Sequence, residues 1–243
     1  MDSFFLIVSQ HVRWWVIFLT AGMMLLVFLS LWLLGTARAY AEKTLRMLYH
    51  VDTPLYLERL EHNRLLRLVF RNSVLLLYRL EGQMKLGNDA DICALIAQLD
   101  KQKLQPRDRL AFYQSRLSYF ASAGNGQQAR ISRDQLVDFL CKTKANRRGG
   151  KYQKMIEDAN QIIGVYVDRD TSLIPLMKTQ AAATADPVER GILQYRLAKL
   201  YHFSGDSHMV QIYLKRARKN LQNSYYSDMI KAALEDHTVL ERE

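Results

Sequence analysis

"RWWVIFLTAGMMLLVFLSLWLLGTARAY", Arg13 to Tyr40, carries no charged side chain between Arg13 and Arg38. Trp14 to Leu34 is 21 residues. A helix of that length, at about 1.5 Å per residue, covers ~32 Å, close to the ~30 Å hydrocarbon core of a bilayer. A core helix of a soluble domain would show a polar stripe. Here only Thr20, Gly22 and Ser30 interrupt the apolar run, and a helix can satisfy a Ser or Thr hydroxyl on its own backbone. Trp14 and Trp15 mark one end, Trp32 and Tyr40 the other. Rings with an apolar body and a polar tip suit the headgroup interface. The stretch predicts one transmembrane helix, closing a leader-and-anchor segment at 1–35.

A cleaved secretion signal is the competing reading, because small residues recur at Ala37/Ala39 and Ala39/Ala41. The apolar region of a signal usually runs ~7–15 residues behind a basic start. This one is longer, and Arg13 and Asp2 are the only charges ahead of it. Lys and Arg resist translocation, so the side richer in them tends to stay cytoplasmic. Arg13 stands against Arg38, Lys43 and Arg46 just past the span, which predicts a single-pass cell-membrane protein with its large C-terminal part in the cytoplasm. No Asn-x-Ser/Thr acceptor occurs, and two cysteines are too few for a disulfide framework. Cys93 in "DICALIAQL" and Cys141 in "LVDFLCK" lie in apolar helical patterns and are expected as small buried hydrophobes.

The chain carries a formal net charge of +10, and only Arg13 and Asp2 of its charged residues precede the span. The part beyond the membrane therefore attracts anionic surfaces: acidic lipid, nucleic acid or acidic protein. Four prolines and eleven glycines fall between periodic segments, the pattern of an all-helical chain with short loops. A juxtamembrane helix at 36–52 continues the anchor. Pro54 opens a helix to about Phe70, and another runs from Ser73 to Leu86. "GNDAD" separates that from Ile92–Leu99. Pro106 opens a helix that stops at "GNG", and "QQARISRDQLVDFLCKTK" follows. Gly149-Gly150, among basic residues, predicts a loop. "YQKMIEDANQIIGVYV" turns β-branched at its end, predicting an extended connector at Val165–Val167. The 53–145 part, the 146–170 segment and the 171–243 part complete the division. The last holds helices opened near Thr171 and at Asp186-Pro187, another after "SGD", and a final one over "NSYYSDMIKAALEDHTVLERE".

Helix, glycine turn, helix recurs, and repetition on a scale of ~34 residues marks helical-hairpin solenoids. In Gly191–Ser224, Leu197-Ala198, Tyr201, Gly205-Asp206, Leu214 and Ala217 keep the spacing of one such family, with Val210 replacing a small residue and no closing Pro. Leu110–Lys142 keeps Phe120, Gly124 and Ala129; Leu76–Pro106 keeps Leu80 and Gly87. These segments resemble tetratricopeptide repeats. The resemblance implies an α-solenoid whose concave face binds a protein or peptide, with Ile192, Tyr195, Lys199, His202 and Phe203 on that face of the best copy. Physically, each hairpin buries only one side alone, so neighbours must stack.

No catalytic constellation is legible, and no cofactor or metal is expected. His202 and His208 flank a turn without metal-ligand spacing. "GNGQQAR" lacks the Gly-Lys-Ser/Thr element of a phosphate loop and follows a helix. Lys142, Lys144, Arg147, Arg148, Lys151 and Lys154 form a run without an acid and are the candidates for contact with an anionic surface. In a tethered protein the nearest is anionic lipid of the bilayer, worth ~1 kcal/mol per cation close to it. Nucleic acid is disfavoured, because the aromatics keep core spacing and do not interleave with the basic residues. The expected function is a membrane-tethered scaffold without chemistry of its own. The rival expectations are an accessory subunit of an enzyme complex, and an extracytoplasmic anchored domain of an envelope assembly.

Overall fold

The computed structural model describes residues 2–142, 151–222 and 226–242. Every element among them is helical. The chain divides into two compact units, Met1–Leu75 and Leu76–Glu243.

The first unit opens with α1, Asp2–Val51, 50 residues without a break. One helix among the described residues is long and apolar enough to cross a membrane. It is Leu19–Val51 of α1, whose most apolar window has a mean hydropathy of 2.0 and no buried residue. A signal sequence meets the same test of length and composition. The Ser30 hydroxyl donates to the Val27 carbonyl at 2.8 Å, so the one serine of the run is satisfied inside the helix. Beyond the run, Arg38, Glu42, Lys43 and Arg46 appear without interrupting α1. Asp52 ends it and caps α2, Thr53–His62, by accepting from the Leu55 N–H. Pro54 stands in the first turn of α2, where a missing N–H costs nothing. The helix expected from Pro54 to Phe70 breaks at Asn63. There the Asn63 carboxamide accepts from the Leu65 N–H and starts α3, Arg64–Val69. Short Asn side chains compete with helical backbone bonding in this way. Tyr49 meets Tyr56 edge-on at 5.5 Å, and the Arg38 guanidinium lies 5.5 Å over the Phe70 ring. Helices α2 and α3 therefore run back along α1, from its Val51 end toward Ala37.

Helix α4, Asn72–Leu86, leads into the second unit. It continues with α5, Asp89–Asp100; α6, Pro106–Ser122; α7, Gly126–Lys142; and α8, Lys151–Tyr166. After a 3-10 turn at Thr171–Leu173 come α9, Ile174–Ala183; α10, Pro187–Phe203; α11, Ser207–Asn220; α12, Tyr226–Glu235; and α13, Val239–Arg242. Two of the turns inside helix pairs share one construction. Gly124 and Gly205 have φ of 72° and 80°, open to glycine and strained for residues with a Cβ. Each N–H, and that of the next residue, bonds back into the last turn of the preceding helix: Gly124 to Ala121 and Asn125 to Phe120, Gly205 to His202 and Asp206 to Tyr201. This is the paired closure of a helix C-terminus. The next residue then caps the following helix, Asn125 through the Gln128 N–H and Asp206 through the Met209 N–H.

Three apolar clusters follow one another along this unit. The first gathers Leu80, Ile92, Leu99 and Phe112, the second Leu117, Leu136, Leu140 and Ile163. The third gathers Met177, Tyr195, Leu197, Leu214 and Ile230. Tyr113 and Phe120 pack against both the first and the second, and Tyr166 against both the second and the third.

Three further expectations change. Val165 and Tyr166 are not an extended connector but the end of α8. Val165 is fully buried, and its packing overrides the mild helix penalty of a β-branched side chain. The final helix is two, because Asp236 accepts from both the N–H and the hydroxyl of Thr238 and turns the chain between α12 and α13. Cys93 and Cys141 are exposed. Each sits one position off the buried stripe of its helix, beside Ile92 on α5 and Leu140 on α7.

Candidate cleft between helices 8, 9 and 10

On α8, Gln153, Glu157 and Gln161 recur every fourth residue and so form a stripe along one side. Apolar Ile162, Ile163 and Val165 take the other side into the core. The stripe forms one wall of a cleft of about 900 Å³. Gln180 and Thr184 of the α9 region, Ile192 and Arg196 of α10, and Gln114 of α6 supply the rest of its outline. Four carboxylates, Glu157, Asp158, Asp186 and Glu189, face two cations, Lys154 and Arg196, in its lining.

The walls are tied together by polar contacts. Arg196 is buried at 7% exposure and donates to the Asp158 carboxylate at 2.6 Å. Burial works against its charge, but Asp158 and the Tyr166 phenol outweigh that and hold its pKa above the usual arginine value. Gln161 donates to the Gln180 carbonyl at 3.0 Å, joining α8 to α9. Arg190 donates to the Thr184 backbone carbonyl at 2.6 Å, fixing the α9–α10 connection. Lys154 is paired with Glu189, which raises its pKa. With each cation matched to one carboxylate, Glu157 and Asp186 leave the lining with an acidic surplus. Glu157 accepts from Gln153 at 3.1 Å, and Asp186 caps α10 through the Val188 N–H.

The lining contains amides, carboxylates and apolar side chains; no His, Cys or Ser is among its residues. Amides and carboxylates are suited to pairing with backbone and with cationic side chains. Among the described residues, no three of His, Cys, Asp and Glu gather where they could hold a metal ion.

No family model matches this chain, and neither a curated protein nor a solved structure matches it.

The five α10 residues expected on a concave face are not brought together. Ile192 lines the cleft. Tyr195 and Lys199 are fully buried at 0% exposure, Tyr195 against Tyr226 and the Lys199 ammonium 4.8 Å from the Tyr166 ring. His202 and Phe203 stand at the far end of α10, His202 within 3.3 Å of Glu241 and Phe203 under the Arg169 guanidinium at 4.8 Å. From Leu193 to Tyr201 every residue of α10 is buried, so this stretch belongs to the interior, and α10 lines the cleft from its N-terminal half.

Of the six basic candidates, Lys142 pairs with Asp138 one turn back on α7 at 2.7 Å, and Lys154 pairs with Glu189. Lys151 opens α8. Lys144, Arg147 and Arg148 lie outside the described residues. Apart from Lys154, the cleft residues of α8 escaped the sequence reading. The signal that finds them is the every-fourth-residue spacing of Gln153, Glu157 and Gln161, which marks a polar face broad enough to line a groove.

Proposed function

We propose that the chain is a membrane-tethered helical-repeat scaffold, anchored by α1, that holds a partner protein or peptide at the cytoplasmic face of the membrane. The observation that carries this reading is the cleft bounded by α8, α9 and α10. It has a volume of about 900 Å³ and is lined by four glutamines, whose amides can both donate to and accept from an extended backbone. Its acidic surplus selects a peptide with Lys or Arg, because complementary potential governs which partner is admitted. The chain-order succession of three apolar clusters supports a stacked-hairpin, solenoid-like unit of the kind the tetratricopeptide resemblance implies. The cytoplasmic side rests on Arg38, Lys43 and Arg46 beyond the span.

Binding of immobilised peptides by the detergent-solubilised full chain tests the reading. Basic extended peptides should be retained over acidic ones of the same length. Glu157→Lys should invert that preference and Gln153→Ala weaken retention, with thermal stability unchanged because both side chains are exposed. Equal retention of basic and acidic peptides by parent and Glu157→Lys would reject the cleft as the binding surface. Labelling of the exposed Cys93 and Cys141 in intact and permeabilised cells settles the side. Reaction with an impermeant reagent only after permeabilisation is the expected result.

A further inference from the structure

Helix α3 and the two residues that follow it, Phe70 and Arg71, have two sides of different use. Leu66 and Phe70 are buried against the rest of the first unit, at 6% and 3% exposure. Leu65 and Leu68 point outward at 68% and 75% exposure. Arg64, Arg67 and Arg71 are also exposed, and no acid occurs from Arg64 to Arg71. Two large apolar side chains among three guanidinium groups are poorly placed in water.

The position of α3 gives that pattern a meaning. Leu65, Leu66 and Val69 share a cleft of about 260 Å³ with Ala37, Tyr40, Ala41 and Leu45 of α1. Ala37 is the third residue after Leu34, the end of the apolar run. At about 1.5 Å per residue that is ~5 Å beyond the hydrocarbon, and the headgroup layer is itself ~5–8 Å thick on each side. Leu45 is the eleventh residue after Leu34, ~16 Å out, so the cleft runs outward from the headgroup layer; the Arg38 guanidinium over the Phe70 ring sets the Phe70 end of α3 at headgroup depth.

We infer that α3 is a second membrane contact. Leu65 and Leu68 seat in the boundary between headgroups and acyl chains, and Arg64, Arg67 and Arg71 hold the phosphates of anionic lipids. The inference rests on α1 being a membrane span. Apolar residues on one side with basic residues beside them are the composition of segments that lie in the interface plane, and each cation near an anionic leaflet strengthens the contact. Around α3, the nearby charges of α1 are Arg38, Glu42, Lys43 and Arg46. Arg38 and Glu42 neutralise each other at 3.3 Å, and α2 adds Glu58 and Glu61 against Arg59, so with Lys43, Arg46 and the three arginines around α3 the cations stay in excess. Arg67 donates to the Glu61 backbone carbonyl at 3.3 Å, a neutral acceptor that leaves its charge available.

The test uses the full chain reconstituted into vesicles with and without anionic lipid. Cys93→Ser and Cys141→Ser form the background, and an environment-sensitive fluorophore is attached at Leu68→Cys, at Glu58→Cys on α2, or at Leu26→Cys in the apolar run. Brominated acyl chains should quench the label at Leu26→Cys strongly, that at Leu68→Cys clearly, and that at Glu58→Cys little. Anionic lipid should increase quenching at Leu68→Cys, and the combined Arg64→Gln, Arg67→Gln and Arg71→Gln changes should remove that increase. Quenching at Leu26→Cys with none at Leu68→Cys would overturn the inference and leave the anchor standing. No quenching at Leu26→Cys would bring down both. A label at Leu68→Cys shielded from aqueous iodide but untouched by brominated lipid would show a protein surface covering α3, and would also overturn it.

Discussion

Tyr119 shows what one side chain contributes and why no pattern announces it. Its phenol is buried at 8% exposure and donates to the Asp89 carboxylate at 2.9 Å, with the Cys93 sulfur 3.8 Å away. Burial first, then that hydrogen bond, raises its pKa above the ordinary tyrosine value. Unfolded tyrosine ionises near pH ~10. A group whose folded pKa is raised contributes stability that is fully present below the unfolded value and lost as pH climbs through the folded one. Tyr119→Phe should therefore destabilise by about 1 kcal/mol near neutral pH, the net worth of one hydrogen bond. Urea unfolding of the solubilised chain should show the gap between parent and variant narrowing only above pH ~10. A gap that stays constant through strong alkali would remove the phenol–carboxylate contact from the account.

At the scale of elements, the glycine turns make a sharper claim. A Cβ added at Gly205 meets nothing within 4 Å, so any cost of substitution comes from its φ of 80° alone. An L-residue held in that conformation loses roughly 1–2 kcal/mol. Gly205→Ala should cost about that much, and Gly205→Asn less, since Asn tolerates the left-handed turn. Denaturant midpoints of the two variants check the order, and equal losses would contradict a backbone origin. These turns were legible in the sequence because Gly followed by Asn or Asp is a local chemical signal. The unbroken apolar run of α1 was legible for a similar reason. The breaks at Asn63 and Asp236 were not, since both residues sit inside helix-like periodicity and act through side-chain bonds to a residue two positions on. Nor was the depth of α10, where Gln194, Arg196 and Lys199 look like a solvated face. They are buried because partners far away in sequence receive them: Asn220 for Gln194, Asp158 for Arg196 and the Tyr166 ring for Lys199. The cleft depends on one of those distant pairings, Arg196 with Asp158, and on Gln161 with Gln180, so its walls are visible only after the chain has folded.

For the whole molecule, the proposed anchor makes the sharpest prediction. The full chain should remain in the membrane pellet after alkaline carbonate extraction, and removal of residues 1–35 should release the remainder to the supernatant. A mature N-terminus at Tyr40 or Glu42 would show a cleaved signal and reject the anchor. If α1 stays seated, its lack of a break between the apolar run and Val51 has a mechanical result. About 17 residues of helix project past Leu34, an arm of ~25 Å. Spans adjust to bilayers of different thickness by changing their tilt. A rod transmits that change where a jointed linker would absorb it: rotation by ~10° at the membrane sweeps the far end of a ~25 Å arm sideways by ~4 Å. Such an arm turns the thickness of the surrounding lipid into displacement, making α1 a lever as well as a tether.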